Sequence, residues 1–120
     1  MSEHKGWIGV DLDGTLAEYR GWKGAGHIGD PVPRMLARVK AWVGEGQQVK
    51  IFTARVSPMA CGNSPTVLEG VRKVIQEWCR LHIGKLLEIT HEKDMAMMQL
   101  WDDRCIQIIP NTGLRADGNI

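Results

Sequence analysis

The stretch Trp7-Ile8-Gly9-Val10-Asp11-Leu12-Asp13-Gly14-Thr15-Leu16 constrains this chain more than any other. Trp7 to Val10 is a short apolar run with two strand-favouring residues, and Gly14 breaks it, which predicts a buried strand. The run ends in two carboxylates. Side chains alternate along an extended chain, so Asp11 and Asp13 leave it on the same side, one residue apart. Such a pair can bind a hard divalent cation, or divide the roles of nucleophile and general acid/base. Gly14 permits a tight turn away from the sheet. The plainer reading is an Asp-Gly turn that merely ends a strand. Asp-x-Asp-Gly-Thr arises by chance in roughly two of a thousand chains of this composition, and an apolar strand in front makes it rarer.

Composition narrows the classes. At 120 residues the chain fits one domain with a real core. Hydrophobic content of 43% with 24% charged residues is that of a soluble globular protein. A net charge of +1 gives no global attraction to nucleic acid or membrane. Met1 to Gly6 carries no signal-peptide pattern, and no apolar run approaches a membrane span. Cys61, Cys79 and Cys105 are an odd number without a Cys-x-x-Cys pair, which fits reduced thiols in a cytoplasm. Of the five tryptophans, Trp22 alone sits in a glycine-rich stretch, and the others are expected in the core.

Asp11-Leu12-Asp13-Gly14-Thr15-Leu16 after an apolar strand resembles the first motif of the haloacid dehalogenase (HAD) superfamily of phosphotransferases. The resemblance implies that Asp11 is the nucleophile, that Asp13 is the general acid/base, and that Mg²⁺ is required. The remaining chain offers further matches. Val49 to Phe52 reads as a second strand, and Thr53 at its tip matches the second HAD motif, whose hydroxyl holds phosphoryl oxygens. Thr53-Ala54-Arg55 resembles the Ser/Thr-x-Arg of the phosphatase domain of polynucleotide kinase-phosphatases, where Arg55 could take a phosphate bidentately. A surface arginine at the start of a loop is the competing reading. Lys93 is the only lysine or arginine between Lys85 and Arg104, so position favours it as the third-motif cation; Lys85 is the other possibility. Gln99 to Trp101 followed by Asp102-Asp103 matches the fourth motif. By resemblance, Asp102 completes the Mg²⁺ shell with Asp11 and the Asp13 backbone carbonyl, and Asp103 bonds the lysine or a metal-bound water.

Between the motifs, Asp30-Pro31 predicts a helix start, with Asp30 as N-cap, and Met35, Leu36, Val39, Trp42 and Val43 recur at helical spacing. A second helix is expected from about Thr66 to Ile83, with Thr66 and Glu69 at capping-box spacing and Val67, Val71, Val74, Ile75, Trp78 and Leu81 on its apolar face. Residues 86–90 read as a third strand and Cys105 to Ile109 as a fifth, closed by Pro110. Residues 17–30 contain four glycines and form a flap, too short for a cap domain; Arg20, Trp22, Lys23 and His27 are its candidates for touching substrate. Residues 111–120 read as a polar, mobile tail.

The expected architecture is a single α/β domain over 1–120, a three-layer Rossmann-like sheet of five parallel strands with its site at the C-terminal strand ends. The resemblance implies the order fifth, fourth, first, second, third, and no cap. Within the family, an aspartate two residues after the nucleophile points to phosphomonoester hydrolysis, since dehalogenases lack it and ion-pump ATPases carry threonine there. The expected function is therefore a Mg²⁺-dependent phosphatase with an aspartyl-phosphate on Asp11. An open, capless site suits a nucleotide or a nucleic-acid end, to which Arg55, Arg20 and Lys23 would bind. By resemblance, small capless HAD proteins of this kind are often encoded by phages or prophages. A receiver domain is disfavoured because the middle strand ends Phe52-Thr53 rather than in an aspartate. A HAD-like domain without turnover, acting as a binding or regulatory module, is the alternative.

Overall fold

A computed structural model describes residues 6–120; the reading of Met1 to Lys5 as lacking a leader lies outside the described residues. The chain runs β1 (Trp7–Asp11), α1 (Pro33–Gly44), β2 (Gln48–Phe52), a 3₁₀ turn (Ala54–Val56), α2 (Pro65–His82), β3 (Glu88–Thr90) and β4 (Met97–Trp101). The four strands form one sheet in the order β3-β2-β1-β4, with every neighbouring pair parallel. This is an α/β fold with a four-stranded parallel sheet and two α-helices.

One face of the sheet makes the core. Ile8 and Val10 of β1, Val49 and Ile51 of β2 and Ile89 of β3 alternate onto it. Met35 and Val39 of α1 and Val71, Ile75, Trp78 and Cys79 of α2 close over them in one cluster. Each helix thus buries part of the stripe that its 3.6-residue period predicts. Trp101 of β4 joins the cluster edge and meets Trp42 edge-to-face, ring centres 5.2 Å apart. On the other face the Trp7 ring lies over Gly9, where an added Cβ would meet the indole at 3.0 Å, so a side chain there would displace the ring. Lys50 sits over that ring, 4.5 Å from its centre, and the Trp7 indole N–H donates to Asp94 at 2.9 Å. Asp94 belongs to the short connection by which the chain returns from β3 to β4.

The fifth strand is not formed. Cys105 to Ile109 does not extend the sheet beyond β4; Ile109 N–H instead donates to Leu114 and Ala116 N–H to Gln107, with an isolated bridge between Ile108 and Arg115. Pro110 and Asn111, the latter at φ 67°, turn the chain back on itself. Backbone groups of Gln107 and Ile109 are thereby paired with residues 114–116, which ties the tail down there. Helix α1 also starts later than expected. Residues 30–32 are held by residues 16–18, through Glu18 N–H to Asp30 and Val32 N–H to Leu16, so Val32 rather than Asp30 takes the N-cap position and Pro33 leads the helix. At α2 the cap is Ser64, whose hydroxyl accepts from Val67 N–H, instead of a Thr66–Glu69 box, because Pro65 fits the first helical position and leaves Thr66 inside. Val67 and Leu81, expected on the buried face, are exposed.

Candidate active site

β1 and β2 end side by side, Asp11 opposite Phe52, so the turns after them share the C-terminal edge of the sheet. After Asp11 the chain winds tightly: Leu16 N–H bonds Asp11, Ala17 N–H bonds Leu12, and Gly14 N–H bonds Ala17. This turn separates the two aspartates that the alternation rule placed together. Asp11 faces β4 and Asp13 faces β2.

On the β4 side, carboxylate oxygens of Asp11, Asp102 and Asp103 lie within 4.8 Å of one another. Gly14 makes this approach possible. Its φ is +91°, and a Cβ there would stand 2.6 Å from an oxygen of Asp103. Thr15 hydroxyl sits 3.3 Å from Asp11 and 3.4 Å from Asp103 and can donate its one proton to either. Asp102 is held by Arg104 N–H at 2.8 Å. The electrostatic result falls on Asp11. Burial first, then hydrogen bonding to Asp103 and the charges of Asp102 and Asp103, push its carboxyl up from 3.8 to about 7; only the bond from Thr15 opposes this. Among the described residues, no lysine or arginine contributes to holding it ionised. Three converging carboxylate oxygen donors are a set that fits a hard divalent cation such as Mg²⁺. Asp13 joins it with no carboxylate oxygen.

On the β2 side, Asp13 is paired with Arg55. Nε and one terminal nitrogen of the guanidinium donate to the two Asp13 oxygens at 2.7 and 2.8 Å. The same guanidinium donates to the carbonyls of Ala25 and His27 and lies 4.8 Å from the centre of the Trp22 ring. Arg55 is buried, 7% exposed, so it fastens the 17–30 loop to the turn after β1. Thr53, buried at the end of β2, accepts from Arg55 N–H and keeps its own O–H proton to donate.

A cavity of about 390 Å³ opens over this edge, lined by Asp11, Asp13, Thr53, Arg55, Asp102 and Asp103 together with Tyr19, Trp22 and Arg104. A second, of about 210 Å³, lies under the loop and holds Arg20, Lys23 and His27; Asp13, Tyr19, Trp22 and Arg55 form the wall between them. The structure therefore brings together Asp11, Asp13, Thr53, Arg55, Asp102 and Asp103, and sets Arg20 and Lys23 one cavity away. Lys93 is exposed in the β3–β4 connection and lines neither cavity, and Lys85 is exposed in the turn after α2. Two residues that motif reasoning gave no role, Tyr19 and Arg104, line the acidic cavity. Arg104 directly follows the acidic pair, and its guanidinium makes no hydrogen bond or ion pair among the described residues. That adjacency was the available signal.

No protein-family model matches the chain, and the curated proteins hold no significant match. Among solved structures, a conserved protein coded by a locus from Bacteroides thetaiotaomicron is similar, with a TM-score of 0.53 and 22% identity, over 88% of this chain and 82% of that one. At that identity the likeness shows a shared α/β fold.

Proposed function

We propose that this protein is a Mg²⁺-dependent phosphomonoester hydrolase working through an aspartyl-phosphate on Asp11, on a reduced form of the three-layer, capless HAD scaffold. The observation that carries the reading is the convergence of Asp11, Asp102 and Asp103 in the same cavity as Thr53 and Asp13. Asp11, Asp102 and Asp103, with the Asp13 backbone carbonyl, would hold the cation. Bound there, Mg²⁺ supplies the positive charge that lets a phosphate dianion approach three carboxylates.

The chain's own groups do the rest. Asp11 attacks phosphorus in line, forming a P–O bond to its carboxylate as the ester P–O bond breaks. Asp13 delivers a proton to the departing oxygen, then takes one from the water that hydrolyses the acyl phosphate, which restores both aspartates and frees inorganic phosphate. Thr53 O–H donates to a phosphoryl oxygen. Arg104, a cation on the cavity wall whose guanidinium has no partner among the described residues, takes the charge-neutralising part expected of Lys93. Arg55 orients Asp13 instead of gripping the substrate.

A module that binds without turnover is the second reading, and one observation favours it: both Asp13 oxygens already accept from Arg55, which occupies the carboxylate that must shuttle the proton. Phosphate release from p-nitrophenyl phosphate separates the two. Hydrolysis that needs Mg²⁺ and disappears in Asp11→Asn supports the enzyme; no hydrolysis by the wild type with Mg²⁺ present leaves the module. A cytoplasmic setting is part of the same proposal, and no helix among the described residues is long and apolar enough to cross a membrane.

A further inference from the structure

Two aromatic residues stand where a folding argument alone would not put them. Trp22 is 58% exposed and Tyr19 43%, while Trp7 and Trp78 are buried in the same small domain. Leaving a large ring half in water forfeits much of the stabilisation that burial gives. Trp22 is nonetheless held in place. One side of its ring meets the Arg55 guanidinium, which is itself fixed by two bonds to Asp13 and by the carbonyls of Ala25 and His27. Tyr19 and Trp22 both line the cavity that contains Asp11 and Thr53. The rim beside the reacting carboxylate is therefore a pair of exposed, flat, apolar surfaces, one anchored through a part-buried ion pair to Asp13, two residues from Asp11.

Resting on the hydrolase reading above, we propose that Tyr19 and Trp22 form a stacking platform for a nucleobase, so that the substrate is a base-bearing phosphomonoester. The chemistry matches at each end. The phosphate would meet Asp11 and Thr53, and a planar π-system on the same molecule would meet the aromatic rim of the same cavity. A cavity of about 390 Å³ falls in the size range of sites that enclose such ligands. Stacking accepts any base, so the platform selects for the presence of a ring rather than for its identity. Two sources share this chemistry, a free nucleoside monophosphate and the phosphorylated end of a nucleic acid. Arg20 and Lys23 in the adjoining cavity would add contacts only for the second, where further phosphates follow.

Calorimetry on the catalytically silent Asp11→Asn chain tests the platform without needing turnover. The probes are a nucleoside monophosphate, ribose 5-phosphate and a short oligonucleotide with a terminal 3′-phosphate. One stacked base is expected to tighten binding roughly ten- to hundred-fold over ribose 5-phosphate. Adding Trp22→Ala or Tyr19→Ala should shrink that advantage several-fold and leave ribose 5-phosphate within about two-fold, while Trp22→Phe, which keeps a stacking ring, should retain most of it. Tighter binding of the oligonucleotide than of the mononucleotide assigns the nucleic-acid end; equal binding assigns the free nucleotide. Equal affinities for ribose 5-phosphate and both base-bearing probes overturn the platform. Equal losses on all probes in Trp22→Ala also overturn it, because Trp22 would then only brace Arg55. If the base advantage is found but the wild type releases no phosphate with Mg²⁺, the hydrolase reading falls and the ligand class stands.

Discussion

Replacing Asp11 should make the metal-free protein more stable at alkaline pH. Asp11 is partly buried beside two carboxylates, and its carboxyl is pushed up from 3.8 to about 7. An acid whose pKa is raised on folding binds its proton more tightly in the folded state. Between about pH 3.8 and 7 the unfolded chain has lost that proton while the folded chain keeps it, so wild-type stability falls as pH rises through this window. Below it both states are protonated and the penalty vanishes. In full, a change of this size corresponds to on the order of 4 kcal/mol. Water in the open cavity screens the charges, which brings the expected penalty to on the order of 2 kcal/mol. Asp11→Asn has nearly the same shape and no charge. Urea unfolding in EDTA should therefore show the variant more stable than wild type by about 2 kcal/mol at about pH 8, and by close to nothing at about pH 3.5. Adding Mg²⁺ at the higher pH should reverse the ranking, because the cation binds the folded wild type better. A variant less stable than wild type at the higher pH, or an equal gain at both, would refute the claim that burial and its acidic neighbours oppose ionisation of Asp11.

The other predictions follow from single contacts. Gly14→Ala should cost about 2 kcal/mol in chemical denaturation and weaken Mg²⁺ binding measured by calorimetry, since the new Cβ meets Asp103 and sits at positive φ. Arg55→Lys should cost about 3 kcal/mol, because one ammonium cannot replace the fork that holds Asp13 and two loop carbonyls, and limited proteolysis should then cut within 17–30. Asp102→Asn should lower Mg²⁺ affinity about ten-fold or more in titration; unchanged affinity would remove Asp102 from the donor set.

How far the sequence carried depended on whether a signal was local. The first strand, its acidic turn and the alternation of Val49 and Ile51 are written in neighbouring residues; the central strands and α2 formed close to where they were expected, and α1 formed with a later start. The pairing of Asp13 with Arg55, 42 positions apart, was not legible, because nothing in Thr53-Ala54-Arg55 says that its guanidinium turns inward to a carboxylate. The late start of α1 was hidden for a similar reason: Asp30-Pro31 has good capping chemistry, and tertiary pairing with residues 16–18 overrode it. Cys105 to Ile109 has the composition of a strand, yet Asn111 and Gly113 let residues 112–116 compete for its backbone. Trp22 was legible as an exception from its glycine-rich surroundings alone, although what it rests on was not.

The most direct test of the central claim is to catch the phosphoryl group on the chain. In Asp13→Asn, Asp11 and the acidic cluster stay in place while the proton shuttle is gone, so attack on a phosphomonoester with a good leaving group should proceed and hydrolysis of the product should stall. Rapid acid quench with Mg²⁺ present, followed by peptide mass spectrometry, should find one added phosphoryl group on Asp11. Phosphate on any other residue, or an unmodified chain that still releases the leaving group, would contradict the account.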